Sequence, residues 1–241
     1  MSKVILVTGA NAGIGFELTR LLAEKGHTVY LGARNEVSGK EAAEKLHKEG
    51  LKTVKHVLID VTKLPTIKAA KETIEGAEGY LDVLVNNAGI AKFDSDQNAT
   101  TIELATIRET METNFFGLIQ TTQTFLPLLR KSSNGVIVSV TSDMASNAYM
   151  AAHTGPLHLV AYNTSKAAMN SYSIALAHEL KKDNIKVNLV TPGYTSTKLN
   201  FFGDGGKSTL DGAKSIEPWA LLEKDGPTGK FVDWNGKDFS W

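Results

Sequence analysis

The architecture of this chain is set near its start by the stretch Val4-Ile-Leu-Val-Thr-Gly-Ala-Asn-Ala-Gly-Ile-Gly15. Its first four residues are all apolar, which is typical of a strand buried on both faces of a parallel sheet. Three glycines follow in the spacing Gly-x-x-x-Gly-x-Gly, and an amphipathic run begins at Phe16. Glycines between a buried strand and a helix allow a sharp turn and let a phosphate reach the N–H groups of the helix N-terminus. The stretch therefore predicts a nucleotide-binding turn, although the commonest dinucleotide fingerprint has the spacing Gly-x-Gly-x-x-Gly.

Short apolar runs alternate with longer amphipathic runs along the rest of the chain. The apolar runs predict strands at residues 4–7, 28–31, 54–59, 81–85, 136–140, 185–190 and 229–232. The amphipathic runs predict helices at residues 16–25, 36–49, 65–75, 101–130 and 161–182. This alternation is typical of a parallel sheet with helices on both faces. Since the sequence has no internal repeat and no linker, we expect a single α/β domain over residues 1–241.

Composition excludes several classes of function. The 26 basic and 26 acidic residues cancel, so we expect neither a nucleic acid nor a membrane as partner. The absence of cysteine excludes disulfides, thiol catalysis and cysteine-ligated metals, and the six histidines lack the His-Glu-x-x-His spacing, so we expect no metal site. No apolar run approaches the roughly 18 residues of a membrane span, and the start does not resemble a secretory signal. We therefore expect a cytoplasmic protein.

The candidate for acid–base chemistry is the pair Tyr162 and Lys166, at the start of the last predicted helix. Residues four apart lie on one face of a helix, so the ammonium is expected beside the phenol. A phenol has a pKa near 10, and a neighbouring cation favours the phenolate. We expect Lys166 to lower the pKa of Tyr162 by roughly three units, which corresponds to about 4 kcal/mol. Taken alone, such a pair is also compatible with an ordinary helix face.

Three motifs in this order resemble the short-chain dehydrogenase/reductase family. They are Thr8-Gly-x-x-x-Gly-x-Gly15, Asn86-Asn87-Ala88-Gly89 and Tyr162-x-x-x-Lys166. The insertion at residues 143–160, together with the ending Gly226-Pro-Thr-Gly-Lys-Phe, resembles the carbonyl-reductase branch of that family. The resemblance implies a Rossmann-type, doubly wound parallel sheet of seven strands in the order 3-2-1-4-5-6-7. It also implies a bound nicotinamide dinucleotide, NAD or NADP.

The resemblance further implies a catalytic set of Asn114, Ser142, Tyr162 and Lys166. Asn114 matches the asparagine that holds a water in the proton relay, and Lys166 has a second contact with the nicotinamide ribose. Ser142 stands at the carboxyl end of a predicted central strand, where it can donate a hydrogen bond to a carbonyl oxygen that gains charge. Tyr162 then supplies a proton to that oxygen during reduction.

The resemblance also implies the cofactor contacts. They are Gly9, Asn11, Ala12, Gly13, Ile14, Gly15, Arg34, Asn35, Asp60, Val61, Asn87, Ala88, Gly89, Tyr162, Lys166, Pro192, Gly193, Thr195 and Thr197. Asp60 has the alternative interpretation of an ordinary helix cap.

The end of the second predicted strand indicates which dinucleotide is bound. An acidic residue there would accept from the ribose hydroxyl of NAD and repel the phosphate of NADP. Ala33 stands where the family's NAD enzymes usually carry aspartate, and Arg34 follows it. A guanidinium pairs well with a phosphate, so we expect NADP(H) rather than NAD.

Three segments are expected to form the substrate pocket: residues 90–94, the insertion 143–160, and the start of a substrate loop near 194–215. Their side chains are mostly apolar and aromatic. We therefore expect a small, apolar carbonyl compound as substrate. The sequence Gly206-Lys207-Ser208 ends like a phosphate-binding P-loop, but no glycine opens the motif and no buried strand precedes it. The insertion does not decide between a monomer and a homo-oligomer.

Three functions remain open on the sequence. The first is an NADP-dependent reductase of aldehydes or ketones. The second is a reductase or dehydrogenase of one dedicated metabolite, such as a terpenoid, alkaloid or sterol ketone. The third is a redox-sensing protein that binds NADP without turnover, which the pair Tyr162 and Lys166 disfavours.

Overall fold

The computed structural model describes residues 1–152 and 158–241 of the chain. Its strands are β1 (Val4–Val7), β2 (Thr28–Ala33), β3 (Val54–Leu58), β4 (Val83–Asn86), β5 (Val136–Val140), β6 (Lys186–Val190) and β7 (Phe231–Val232). Its α-helices are α1 (Gly13–Glu24), α2 (Glu36–Lys48), α3 (Leu64–Glu78), α4 (Leu104–Met111), α5 (Gly117–Leu129), α6 (Asn147–Ala152), α7 (Val160–Leu180) and α8 (Thr209–Ala220).

The strands form a parallel sheet in the order β3-β2-β1-β4-β5-β6-β7, which confirms the predicted Rossmann-type fold. The order reverses between β1 and β4, where Val7 lies opposite Val85. Ligands of such sheets bind beyond the carboxyl ends of the strands at this switch point. The glycine turn after β1 and the asparagine motif after β4 therefore meet at the same edge.

The core consists of two apolar layers, one on each face of the sheet. On one face, Ile5 and Val7 pack with Leu18 of α1, and all three are fully buried. On the other face, Leu6 packs with Phe125 of α5. Both faces of β1 are thus covered, which explains its continuous apolar sequence. Truncation of such a buried leucine to alanine typically costs about 2–5 kcal/mol.

The long predicted helix at residues 101–130 is instead two helices joined by a π-helical turn. Helix α4 begins at Leu104 because the preceding residues form a loop around Asp96, which accepts hydrogen bonds from the backbone N–H of Asn98 and from the hydroxyl of Thr101. The π turn, Glu112–Phe116, contains Asn114 and leads into α5. Single π turns inside helices are frequent at functional sites.

Helix α8 was not predicted, because Gly212 and Pro218 interrupt its sequence pattern. Residues 209–215, placed in the substrate loop by the sequence, are therefore helical. Ser208 caps the helix by accepting a 3.0 Å hydrogen bond from the backbone N–H of Asp211. The helix lies against α1, and a Cβ added at Gly212 would come within 3.1 Å of Ile14. The substrate loop is thus anchored at its far end to the helix of the glycine turn.

None of the helices in residues 1–152 and 158–241 is long and apolar enough to cross a membrane.

Candidate active site

The glycine turn after β1 is shaped by close backbone packing. Gly9 and Gly13 have φ angles of 63° and 62°, in the left-handed region that favours glycine. A Cβ added at Gly9 would lie 2.8 Å from the Cα of Ala88. One added at Gly15 would lie 2.5 Å from the Nδ2 of Asn87. At Gly13 the nearest atom would be 3.9 Å away, so the space in front of the helix is open.

The N-terminus of α1 fits an anionic phosphate. Its N-cap residue, Ala12, has no side chain to accept from the first backbone N–H groups. In contrast, Asn35 caps α2 and Ser208 caps α8 through their side chains. Asn11 and Ala12 are exposed beside the turn. Uncapped N–H groups and the positive end of a helix dipole can together bind an anion such as a phosphate.

Arg34 lies at the surface directly after β2, close to the glycine turn. Asn35 accepts a 2.9 Å hydrogen bond from the backbone N–H of Ser38, and the amide of Asn11 donates a 3.3 Å bond to the Ser38 hydroxyl. The predicted cofactor residue Asn35 is therefore engaged in capping α2. Arg34 is exposed and makes no ion pair with the described residues, so its guanidinium is available to an anion.

Asp60 does not cap α3, whose N-cap residue is Lys63. Its Oδ1 accepts hydrogen bonds from the backbone N–H and the hydroxyl of Thr62, at 3.0 and 2.7 Å. The other oxygen lies 3.5 Å from the Nζ of Lys63 at the surface. The adjacent Val61 is buried, and its side chain would lie 2.9 Å from a Cβ added at Gly117 of α5. The interpretation of Asp60 as a helix cap is therefore wrong.

The asparagine motif holds the glycine turn in place. The amide of Asn87 donates hydrogen bonds to the carbonyl oxygens of Thr8 and Gly9, at 2.9 and 3.1 Å. In return, the hydroxyl of Thr8 accepts from the backbone N–H groups of Asn87 and Ala88. The two predicted motifs are thus one hydrogen-bonded unit at the switch point of the sheet.

Asn114 is buried and spans three elements. Its Oδ1 accepts from the backbone N–H of Ile90, and its Nδ2 donates to the carbonyl oxygen of the same residue, both at 2.8 Å. The Nδ2 also donates a 2.9 Å bond to the hydroxyl of Ser165. A Cβ added at Gly89 would lie 3.2 Å from the Oδ1. The π turn is thereby tied to the asparagine motif and to α7.

Ser142, Tyr162 and Lys166 meet at the carboxyl end of β5. The hydroxyl of Ser142 accepts from the backbone N–H of Met144 at 3.2 Å and donates to Asp143 at 3.0 Å. The Nζ of Lys166 lies 5.8 Å from the ring centroid of Tyr162. Helix α7 and strand β5 therefore bring together the three side chains that the sequence marks as a candidate acid–base site.

The electrostatics of this group differ from the expectation. Burial raises the pKa of Tyr162 to about 12, a hydrogen bond with Ser142 opposes the rise, and the charge of Asp143 adds to it. Burial lowers the pKa of Lys166 to about 8. The expected lowering of the Tyr162 pKa by Lys166 is therefore wrong, because burial raises this pKa and Lys166 does not offset it. The physical reason is that the ammonium is directed at the carbonyl oxygen of Val140, at 2.8 Å, and not at the phenol oxygen.

The segment after β6 lies beside this group. Pro192 and Thr195 are buried, and the Thr195 hydroxyl donates a 3.2 Å bond to the carbonyl oxygen of Gly193. Thr197 caps a short 3₁₀ turn, Lys198–Asn200, by accepting from the backbone N–H of Leu199. The hydroxyl of Thr197 is thus engaged in this capping bond within the segment.

Two side chains near the site were missed by the sequence analysis. The Nζ of Lys207 lies 4.6 Å from the ring centroid of Trp234, which follows β7. A Cβ added at Gly193 would lie within 3.0 Å of that Nζ and 2.7 Å of the indole. No sequence motif pairs these residues. They meet for two reasons. Strands β6 and β7 are neighbours in the sheet, and an isolated β-bridge between Thr195 and Lys207 brings the substrate loop back to this edge.

The aromatic residues of the predicted pocket differ from one another in exposure and in contacts. Phe201 and Phe202 are 68% and 66% exposed, and both have positive φ angles. Tyr149 packs against Phe239, with ring centroids 5.6 Å apart. His153 and Pro156, which the sequence places in the insertion, lie outside the described residues.

The comparison with known proteins agrees with this geometry. A model of the family described as short chain dehydrogenase matches residues 3–202. This chain therefore belongs to the short-chain dehydrogenase/reductase family of oxidoreductases.

Individual relatives cover nearly the whole chain. Short-chain dehydrogenase/reductase ATR10 of Stachybotrys chlorohalonatus is 36% identical over 247 residues, which cover 97% of this chain and 89% of that protein. Salutaridine reductase from Papaver somniferum has a solved structure that matches with a TM-score of 0.84 at 29% identity, over 95% of this chain and 99% of that one. The structure of ElxO with NADP bound matches with a TM-score of 0.84 at 25% identity, over 97% of both chains.

Proposed function

We propose that this protein is an NADP-dependent oxidoreductase that reduces the carbonyl group of an aldehyde or ketone to an alcohol. The observation that carries the proposal is the meeting of Ser142, Tyr162 and Lys166 beside an uncapped, glycine-lined helix N-terminus. The first group suits proton transfer to an oxygen, and the second suits a pyrophosphate.

We assign Arg34 as the residue that binds the phosphate on the adenine ribose of NADP. Its exposed guanidinium makes no ion pair with the described residues and follows a buried alanine instead of an acidic residue. A free guanidinium forms strong, charge-assisted hydrogen bonds with phosphate. The NADP bound to the related ElxO supports this choice. When bound, NADPH supplies the hydride that adds to the carbonyl carbon.

The protein's own residues act on the carbonyl oxygen. Ser142, whose hydroxyl donates to Asp143 in this structure, turns its hydrogen to that oxygen and stabilises the negative charge that develops there. Tyr162 then gives its phenolic proton to the same oxygen. The raised pKa of Tyr162 keeps the phenol protonated at neutral pH, as a proton donor requires. Lys166 remains close enough to stabilise the phenolate that is left behind.

Asn114 is assigned to the proton relay through the backbone of the π turn. Its side-chain amide is engaged with Ile90 and Ser165, so it is not free to hold a relay water. A π turn shifts the pattern of backbone hydrogen bonds, and we assign the water to a carbonyl oxygen of that turn.

The substrate is assigned to small carbonyl compounds with little charge. The related salutaridine reductase bears the name of a reductase of one dedicated compound, and this favours a dedicated ketone as the second candidate. The two candidates share every catalytic residue and differ only in the pocket.

One experiment tests the function and separates the two candidates. NADPH consumption is measured against a panel of aldehydes and ketones, including alkaloid, terpenoid and sterol ketones. Reduction of many compounds at similar kcat/KM supports a general carbonyl reductase, and one compound preferred by several orders of magnitude supports a dedicated enzyme. NADPH binding without consumption on any member would contradict the proposal and favour a sensing role.

A further inference from the structure

Helix α7, which carries Tyr162, begins without a cap of its own. Its N-cap residue is Leu159, whose apolar side chain cannot accept a hydrogen bond. The helical hydrogen-bond pattern begins with the N–H of Asn163, which donates a 2.7 Å bond to the carbonyl oxygen of Leu159. The N–H groups of the three residues before Asn163 therefore need acceptors from outside the helix. Tyr162 is one of these three residues, so it lies in a turn that frays easily.

Gln97, in the loop between β4 and α4, supplies two acceptors to this turn. Its backbone carbonyl oxygen accepts a 3.2 Å hydrogen bond from the N–H of Val160. Its side-chain Oε1 accepts a 3.0 Å bond from the N–H of Ala161, the residue directly before Tyr162. Gln97 is 7% exposed, so water has little access to these groups. A residue distant in sequence thus takes the place of the usual N-cap side chain.

The same side chain holds the loop that follows the asparagine motif. The Nε2 of Gln97 donates 3.0 Å hydrogen bonds to the carbonyl oxygens of Ala91 and Lys92. Ala91 is buried, and Lys92 has a φ angle of 54°, which is uncommon for a residue other than glycine. These residues belong to the segment 90–94, which the sequence predicts as one wall of the substrate pocket. The amide of Gln97 therefore joins this segment to the start of α7.

Lys166, one turn further along α7, has a separate anchor. Its Nζ donates a 2.8 Å hydrogen bond to the carbonyl oxygen of Val140 in β5. Loss of the Gln97 amide should therefore loosen the turn that contains Tyr162 and leave Lys166 in place. Displacement of a reacting group by about 1 Å can lower a rate by about 10²-fold. The rate of proton transfer should thus depend on Gln97 far more than the affinity for NADPH does.

We propose that Gln97 is a positioning residue, which caps α7 from the neighbouring loop and thereby fixes Tyr162 and the segment 90–94 relative to each other. The inference rests on the proposed function, because it assigns to Gln97 the placement of the proton donor against the wall of the carbonyl pocket. Its Oε1 serves the proton donor, and its Nε2 serves the pocket wall. The two roles should separate in suitable variants.

Gln97→Met removes both sets of side-chain hydrogen bonds and keeps a side chain of similar length. NADPH bound to excess protein is mixed with increasing concentrations of a carbonyl compound that the wild type reduces, and a single turnover is followed. We expect the rate at saturation to fall by at least about tenfold. The carbonyl concentration that gives half of this rate should rise several-fold, whereas the Kd for NADPH should change little.

Gln97→Glu separates the two roles. The carboxylate keeps an oxygen for the N–H of Ala161, and a negative charge is favourable at a helix N-terminus. It has no N–H group for the carbonyl oxygens of Ala91 and Lys92. We expect the rate at saturation to recover to within a few-fold of the wild type, while the half-saturating concentration remains raised. This variant decides the question by itself if the methionine variant does not fold.

The matched control is Asn134→Leu. Asn134 is also a buried amide that donates to a distant backbone carbonyl oxygen, that of Leu222 at 2.8 Å, but it lies before β5 at the opposite edge of the sheet. Its variant should lose stability and keep the wild-type rate and half-saturating concentration.

A wild-type rate in Gln97→Met would overturn the role of Gln97, and so would a rate in Gln97→Glu that falls as far as in Gln97→Met or, where only Gln97→Glu folds, by tenfold or more. An unchanged half-saturating concentration in Gln97→Glu would overturn the role of its Nε2. If the unmodified protein reduces carbonyl compounds and Tyr162→Phe does not, the proposed function stands whatever the outcome for Gln97.

Discussion

The ammonium of Lys166 donates a 2.8 Å hydrogen bond to the carbonyl oxygen of Val140, the last residue of β5. This bond holds the buried lysine against the end of β5, with its Nζ 5.8 Å from the ring centroid of Tyr162. Burial opposes the positive charge of this ammonium. The stability of the fold should therefore depend on pH through Lys166.

Lys166→Met should change how stability depends on pH. Burial lowers the pKa of Lys166 in the folded protein to about 8, from 10.5 for an unburied lysine. Between these two values the unfolded chain binds more protons, so the wild-type protein gains stability as pH rises. We expect the free energy of unfolding of the wild type, relative to the variant, to increase by up to about 3 kcal/mol from pH 7 to pH 10.5.

Urea denaturation at a series of pH values checks this prediction. Lys182→Met provides the comparison, because Lys182 is an exposed lysine just after the end of the same helix. The unfolding free energy of the wild type, relative to that of Lys166→Met, should rise with pH. If this difference stays constant or shrinks as pH rises, burial does not lower the pKa of Lys166.

Arg34→Ala should remove the preference for NADPH. If the guanidinium binds the ribose phosphate, NADPH should bind more tightly than NADH by about one to two orders of magnitude, since a charged hydrogen bond contributes about 1.5–3 kcal/mol. The variant should bind NADPH more weakly, with the affinity for NADH little changed. Titration of protein fluorescence with each dinucleotide measures both constants. Lys40→Ala is the control, since Lys40 is an exposed cation of α2 already paired with Glu36. Equal affinities in the unmodified protein would contradict the assignment.

Gly15→Ala should disrupt the cofactor site by crowding. The added Cβ would lie 2.5 Å from the Nδ2 of Asn87 and 2.8 Å from the carbonyl oxygen of Gly9, so the turn must move. We expect a loss of about 1–3 kcal/mol in unfolding free energy and a large loss of NADPH affinity. Gly76→Ala, in helix α3 with no atom within 4 Å of its Cβ, should instead stabilise the protein by about 0.5–1 kcal/mol. Equal effects of the two substitutions would rule out this account of the turn.

Substrate preference should follow apolar surface and charge. The sequence predicts a largely apolar pocket, and the structure adds the carboxylate of Asp143 beside Ser142. Its negative charge should repel substrates with a carboxylate near the carbonyl group. Across a series of aryl and alkyl ketones, kcat/KM should rise with apolar area, and matched keto acids should be poor substrates. Preferred reduction of the keto acids would refute the proposed pocket.

Much of the fold was predictable, because its central strands, such as β1, β4 and β5, are buried on both faces. Strand β1 and its glycine turn have a sequence pattern with few alternatives, and so does the apolar run of β5. Helix α8 was missed because Gly212 and Pro218 weaken the helical pattern, and packing against α1 stabilises it. The π turn at Asn114 also depends on tertiary contacts, since Gly117 packs against Val61.

The candidate site was predictable in its residues but not in its electrostatics. Helical spacing places Lys166 on the same face as Tyr162, but it does not reveal the carbonyl oxygen of Val140 that receives the ammonium. In the same way, nothing in the sequence around Asp143 indicates that its carboxylate binds the hydroxyl of Ser142. Both contacts depend on how β5 ends against α7, which only the folded chain defines.

The central claim is that Tyr162 donates the proton, and Tyr162→Phe tests it most directly. The substitution removes the phenolic hydroxyl and keeps the ring, so the cofactor site should remain intact. Steady-state turnover of a reducible carbonyl compound is measured together with NADPH affinity. We predict that turnover falls by about 10²–10⁴-fold, the usual contribution of a general acid, while the Kd for NADPH changes little. A variant that binds NADPH normally and retains more than about a tenth of wild-type turnover would contradict the account, because such a loss is far below that of a missing general acid.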